Sequence, residues 1–210
     1  MKGFNDYKSP VKAREMFEKA TSVNAQGVSN MELHYAIDAI KMITDKLDML
    51  INTEGQGMKL NKYFKRFSPP IATMNTGSLA GALNGTFYFG KVATSKWEAA
   101  YKNGLIAGWY PKNTTAKGII IHEFGHFITQ RIGMGNIDVI VQDLFKKHKK
   151  EFGSIVKMRE SVSGYAGNYK GTKGNSELFA ESFNDYIHNG KSANTIAVEL
   201  VEEVLRLYKL

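Results

Sequence analysis

The most specific chemistry in this chain is carried by five consecutive residues, His122-Glu123-Phe124-Gly125-His126, which read H-E-x-x-H. On a helix, residues four apart lie on one face. His122 and His126 would then stand one turn apart as two imidazole ligands for a single metal ion. Glu123 would sit beside that ion, where a carboxylate can take a proton from a bound water. The bland alternative is a helix with two partly buried, hydrogen-bonded histidines. The neighbours Ile119, Ile120, Ile121, Phe124, Phe127 and Ile128 predict a mostly buried helix. Polar side chains on such a helix need polar partners, and a metal supplies one.

A catalytic zinc takes three protein ligands and keeps a fourth position open. The chain has no cysteine, so a zinc site must use histidine and carboxylate. His148 lies in Lys146-Lys147-His148-Lys149-Lys150, whose charge disfavours a nearby cation, and His188 precedes Asn189-Gly190 at a predicted helix end. His34, alone beside Tyr35, reads as a packing or surface residue. Glu177 and Glu181 sit four apart in Asn175-Ser176-Glu177-Leu178-Phe179-Ala180-Glu181-Ser182-Phe183. One can bind zinc while the other hydrogen-bonds a ligand histidine from behind.

The elements that must position these residues follow from periodicity and end signals. Ser9-Pro10 opens a helix to about Thr21. Ser29 and Glu32 form a capping-box pattern ahead of a long helix with Leu33, Ile37, Ile40, Ile43, Leu47 and Leu50 on one face. Gly55-Gln56-Gly57 ends it. A basic, aromatic segment runs to Arg66, followed by Ser68-Pro69-Pro70. Ile71 to Met74 reads as a strand, and Asn75 to Gly90 as Gly-rich and small, with a β-prone strand at Thr86 to Phe89. Edge and internal core positions are both open for that strand. Ser95 opens a short helix ending near Gly104, and Gly108 to Pro111 is a turn. Thr114 or Thr115 caps the H-E-x-x-H helix, which ends near Gly133. A further helix starts at Asn136 or Ile137 and reaches about Phe152. Arg159 to Gly174 reads as a loop. Helices from Asn175 to Tyr186 and from Ser192 or Asn194 onward close the chain.

The 210 residues, 43% of them hydrophobic, suffice for a sizeable core. No apolar run approaches the roughly 18 residues of a membrane span, and no signal peptide is visible behind Met1. The expected location is cytoplasmic or virion-associated. The net charge of +8 raises nucleic acid as a partner. However, the lysines at 146–150 follow Ile137, Ile140, Val141, Leu144 and Phe145 and lack interleaved aromatics, which reads as the solvated end of a helix. Neither a nucleic-acid nor a membrane partner is expected.

H-E-F-G-H at His122 to His126, S-x-Y-A at Ser163 to Ala166 and E-x-F-A-E-x-F at Glu177 to Phe183 together resemble gluzincin metallopeptidases. The likeness is to the catalytic domains of anthrax lethal-factor-type toxins and to zincin-like domains encoded in phage and mobile-element head-protein genes. It covers roughly residues 70 to 190. It implies an α+β zincin-like fold, with a small mixed sheet packed on the H-E-x-x-H helix. The expected division is an N-terminal helical region at 1–68 and a catalytic domain at 69–210, with one compact domain as the alternative. It also implies Zn2+ on His122, His126 and Glu177, with Glu181 supporting a ligand, Glu123 as general base and Tyr165 as oxyanion donor. The implied activity is zinc-dependent endopeptidase action on a protein or peptide, with a phage head or host protein as a further partner. A strand near the metal, Thr86 to Phe89, would pair with extended substrate. The alternative is a phage or mobile-element structural module with a structural or vestigial zinc. One departure is the stretch Gly167 to Gly174, which reads as a longer loop than the toxins carry and leaves Tyr169 as a rival for the tyrosine role. Metzincins need a third histidine in H-E-x-x-H-x-x-G-x-x-H; here positions 129, 132, 133 and 136 are Thr, Ile, Gly and Asn.

Overall fold

A computed structural model describes residues 10–51, 63, 65–68 and 79–208. The architecture is mostly helical with one small mixed sheet, broadly α+β. The chain divides into two compact units, Met1–Trp97 and Glu98–Leu210. Among the described residues, no helix is long and apolar enough to cross a membrane.

The first unit holds α1 (Pro10–Thr21), α2 (Asn30–Ile51) and strands β1 (Arg66–Ser68), β2 (Ala80–Leu83) and β3 (Thr86–Phe89). The capping box at α2 forms in both directions. The Ser29 N–H donates to Glu32 Oε2 at 2.9 Å, and the Glu32 N–H to Ser29 Oγ at 3.3 Å. Leu33, Ile37, Ile40, Ile43 and Leu47 are buried along one stripe. In the sheet, β3 is central, parallel to β1 and antiparallel to β2. Both of its edges are therefore taken, and the edge reading of Thr86 to Phe89 is corrected to an internal strand. Alternation turns Phe87 and Phe89 to the buried face. There they pack 4.8 Å apart and join Phe67 at 5.2 and 5.7 Å.

The partner β2 lies inside the stretch read as merely Gly-rich and small. Its hairpin turn is Asn84-Gly85, with φ of 49° and 73°, the left-handed pair that a two-residue hairpin requires. The strand expected at Ile71 to Met74 and the break at Gly55 to Gly57 lie outside the described residues.

The second unit contains α3 (Trp97–Ile106) from Glu98 onward, α4 (Gly118–Ile132), α5 (Met134–Phe152), α6 (Ile155–Val162), α7 (Gly164–Asn168), α8 (Gly171–Asn189) and α9 (Thr195–Tyr208). α4 and α8 form its centre. Residues 174–187 of α8 are all buried, and α4 is buried on nearly every side. Asn194 caps α9, its Oδ1 accepting from the Ile196 N–H at 2.9 Å.

Two expectations fail here. The span Arg159 to Gly174 is largely helical. Ser154 and Ser163 act as N-caps, accepting from the Lys157 and Ala166 N–H groups, and Met158 and Val162 bury one side of α6. Neither Thr114 nor Thr115 caps α4 through its side chain. The N-cap is Lys117, with no side-chain bond. The Thr114 hydroxyl donates to the Pro111 carbonyl, and Thr115 meets His188.

Candidate metal centre

α4 and α8 cross where neither carries bulk. A Cβ on Gly125 would lie 2.8 Å from Ala180 Cα and 3.3 Å from its Cβ. This approach brings the carboxylates of α8 against the histidines of α4. His122 Nε2 and His126 Nε2 are 3.1 Å apart, and each is 3.3 Å from Glu177 Oε2. Behind this triangle, His122 Nδ1 lies 2.7 Å from Glu181 Oε1, and His126 Nδ1 lies 3.1 Å from Ser176 Oγ. With Ser176 Oγ as partner at His126 Nδ1 and the Glu181 carboxylate beside His122 Nδ1, which makes no hydrogen bond of good geometry, both Nε2 lone pairs can face the triangle's centre.

His122, His126 and Glu177 are a group that could hold a metal ion. Three observations test the fit. First, ligands at about 2.0–2.1 Å in a tetrahedral zinc centre stand roughly 3.3–3.4 Å from one another, close to the triangle's edges. Second, Glu177 Oε2 is buried without a hydrogen bond of good geometry, and an ion would satisfy it. Third, three carboxyl groups, Glu123, Glu177 and Glu181, surround two imidazoles, a negative excess that a dication balances.

The protonation behaviour follows from the same crowding. Burial alone would lower the pKa of His122, but Glu181, Glu177 and Glu123 outweigh it and hold that pKa well above its ordinary value. Burial likewise pushes Glu177 up, yet the adjoining His122 and His126 imidazoles hold it well below the usual carboxylate range. Glu123 is half-buried. Its pKa is raised first by burial and further by Glu177 and Glu181, against the pull of the two histidines.

Tyr165, in α7, stands with its ring 5.6 Å from that of His122, nearly perpendicular. The Tyr169 hydroxyl donates to the Tyr165 oxygen at 3.2 Å, which leaves the Tyr165 O–H free to donate elsewhere. Burial, then Glu177 and Tyr169, raise the Tyr165 pKa, so the phenol keeps its proton. The structure thus gathers His122, Glu123, His126, Tyr165, Glu177 and Glu181 in one place. His148 and His188 serve elsewhere. His148 meets Glu199 and Glu151 at 3.1 and 3.2 Å. His188 holds the Thr115 N–H at 3.2 Å and the Asn184 carbonyl at 2.9 Å.

Sequence reasoning missed the supports. Ser176 adjoins Glu177, and its neighbouring place on α8 was signal enough to ask what its hydroxyl meets. Arg159 is buried and ties the α7–α8 junction together, donating to the carbonyls of Tyr169 and Gly171 and to Asn175 Oδ1. The Asn175 amide in turn donates to Asp138 at 2.8 Å. A lone arginine in a polar stretch gives no hint of this. Compared with family models, with curated proteins and with solved structures, the chain matches none, and the functional reading rests on the geometry of this centre.

Proposed function

We propose that this protein is a zinc-dependent endopeptidase with a zincin-like second unit, acting on a protein or peptide. The observation that carries the reading is the triangle of His122 Nε2, His126 Nε2 and Glu177 Oε2, with edges of 3.1–3.3 Å, with Glu123 next to His122 in α4 and the Tyr165 ring 5.6 Å from that of His122. Zinc held by these three residues would supply Lewis acidity toward a water and toward the scissile carbonyl. Glu181 and Ser176 orient the two imidazoles. Glu123 accepts a proton from the attacking water as the water oxygen bonds to the carbonyl carbon. It then delivers that proton to the amide nitrogen as the C–N bond breaks. A carboxyl group whose pKa lies above its ordinary value, raised first by burial, suits both halves of that transfer. The Tyr165 O–H donates to the oxygen on which negative charge develops.

The test pairs two variants. Glu123→Gln should retain zinc and lose about 10²–10⁴-fold in peptide cleavage, while His126→Ala should lose zinc. Cleavage by Glu123→Gln at the wild-type rate refutes the hydrolase reading, and full zinc retention by His126→Ala refutes the ligand set. Zinc-loaded wild-type protein that cleaves nothing in a proteome-derived peptide library would favour a phage or mobile-element structural module.

A further inference from the structure

We propose that Trp109 forms one wall of a subsite for a large apolar side chain of a peptide ligand, placed beside the metal-binding triangle on the side where Tyr165 stands. The inference rests on the metallopeptidase reading and adds a ligand class to it. Trp109 is 42% exposed. A single exposed tryptophan is ordinary on a protein surface, but this one is fixed and aligned. Its N–H donates to the Gly104 carbonyl at 2.8 Å, and its own carbonyl accepts from the Tyr165 N–H at 3.2 Å. One residue earlier, the Gly108 carbonyl accepts from the Gly164 N–H at 2.8 Å. Gly108 has a φ of 72°, and a Cβ on Gly164 would lie 2.9 Å from the Gly108 oxygen. Two glycines therefore let the 108–109 segment be strapped onto the start of α7.

The strap fixes the Trp109 backbone at the start of α7. The Trp109 and Tyr165 rings meet edge-on at 6.3 Å, and Tyr165 meets His122 at 5.6 Å. An extended peptide advances about 3.2–3.4 Å per residue with side chains on alternate sides. With its scissile carbonyl at the triangle, a residue within a few positions of that bond can present its side chain to Trp109, whose ring stands two ring contacts from His122. The surface there is aromatic and half-desolvated, which rewards an apolar side chain.

The experiment uses the zinc-loaded full chain and two probes, N-acylated leucine hydroxamate and N-acylated glycine hydroxamate, with affinity and tryptophan emission both read. The chain's second tryptophan, Trp97, is fully buried, so a probe-induced change in emission reports on Trp109. The leucine probe should bind roughly ten-fold or more tighter than the glycine probe and shift the emission to the blue. Trp109→Ala should erase that preference while leaving zinc content and glycine-probe affinity unchanged. A preference that survives Trp109→Ala, or wild-type emission that does not move at saturating leucine probe, overturns the subsite and leaves the metal centre standing. The emission result holds whether or not the variant folds. If neither probe binds zinc-loaded wild-type protein, the metallopeptidase reading fails and the subsite fails with it.

Discussion

Replacing Gly125 with alanine puts a methyl group 2.8 Å from Ala180 Cα and 3.3 Å from its Cβ. Ordinary carbon–carbon contact begins near 3.5 Å, so α4 and α8 must separate by roughly half an ångström or more at that point. The His122–His126 edge lies within α4 and should stay near 3.1 Å, while the two 3.3 Å edges to Glu177 span the helices and should lengthen. Metal sites tolerate deviations of only about ±0.2 Å in ligand distance, so zinc affinity should fall at least about ten-fold, a figure typical of disturbed supporting contacts. Stability should move much less. Overpacking costs about 1–3 kcal/mol, and alanine's helix preference over glycine returns about 0.8–1 kcal/mol. The net loss is about 0–2 kcal/mol. Chelator competition would measure affinity, and thermal unfolding of the metal-free protein would measure stability. Gly135→Ala is the control, since a Cβ there meets nothing within 4 Å, and zinc affinity should not change. Unchanged zinc affinity in Gly125→Ala would refute the claim that this crossing sets the ligand geometry.

Tyr165→Phe should lower kcat about 10²–10³-fold with zinc content and KM unchanged. Tyr169→Phe should cost far less, because its hydroxyl acts only through the Tyr165 oxygen; the reverse order in steady-state kinetics would move the role to Tyr169. Glu181→Gln should weaken zinc binding about 10–100-fold, read by chelator competition, because the carboxylate charge behind His122 Nδ1 is lost while its size is kept. His148 should titrate above 6.5 by NMR, chiefly through its hydrogen bond to Glu199, and fall back in Glu199→Gln. Since its folded pKa is the raised one, its stabilisation is complete below pH 6.5 and is lost as pH rises through that raised value, which a pH series of unfolding midpoints would show. The pair's acid limb runs the other way. Burial works against Glu199 ionising, but Lys147 and His148 hold its pKa down, so its share is lost only as pH falls through that depressed value.

Much of the fold is legible because local signals act alone. The capping box at Ser29 and the apolar stripe of α2 each need only a few neighbouring residues to take effect and form as their sequence predicts, and of the two candidates for the α9 cap it is Asn194 that serves. Legibility fails where one residue type serves two structures. Ser163 belongs to a polar, glycine-rich stretch with the composition of a loop, yet it caps a short helix, as Ser154 does ahead of that stretch. The stability of α6 and α7 comes from burying Met158, Val162 and Ala166, a tertiary effect that overrides weak propensity. The β2–β3 hairpin is the opposite case. Asn84-Gly85 is a strong turn signal, but the small residues of Ala80–Leu83 carry too little β-propensity to announce a strand on their own.

The centre itself divides along the same line. Helical geometry fixes what residues four apart can do, so His122 and His126 could be paired from spacing alone. Nothing in the spacing says which face of α8 will meet them, and a turn separates Glu177 from Glu181 on that helix. The choice depends on how closely α4 and α8 approach and where along α8 they touch. That contact is made by Gly125 and Ala180, the residues with least to contribute chemically. Because Ala180 sits one residue before Glu181 and three after Glu177, the crossing presents both carboxylates to α4. Glu177 reaches the two Nε2 atoms and Glu181 the far nitrogen of His122. The glycine in H-E-F-G-H and the alanine between the two glutamates are therefore as much a part of the pattern as the three side chains that could hold an ion.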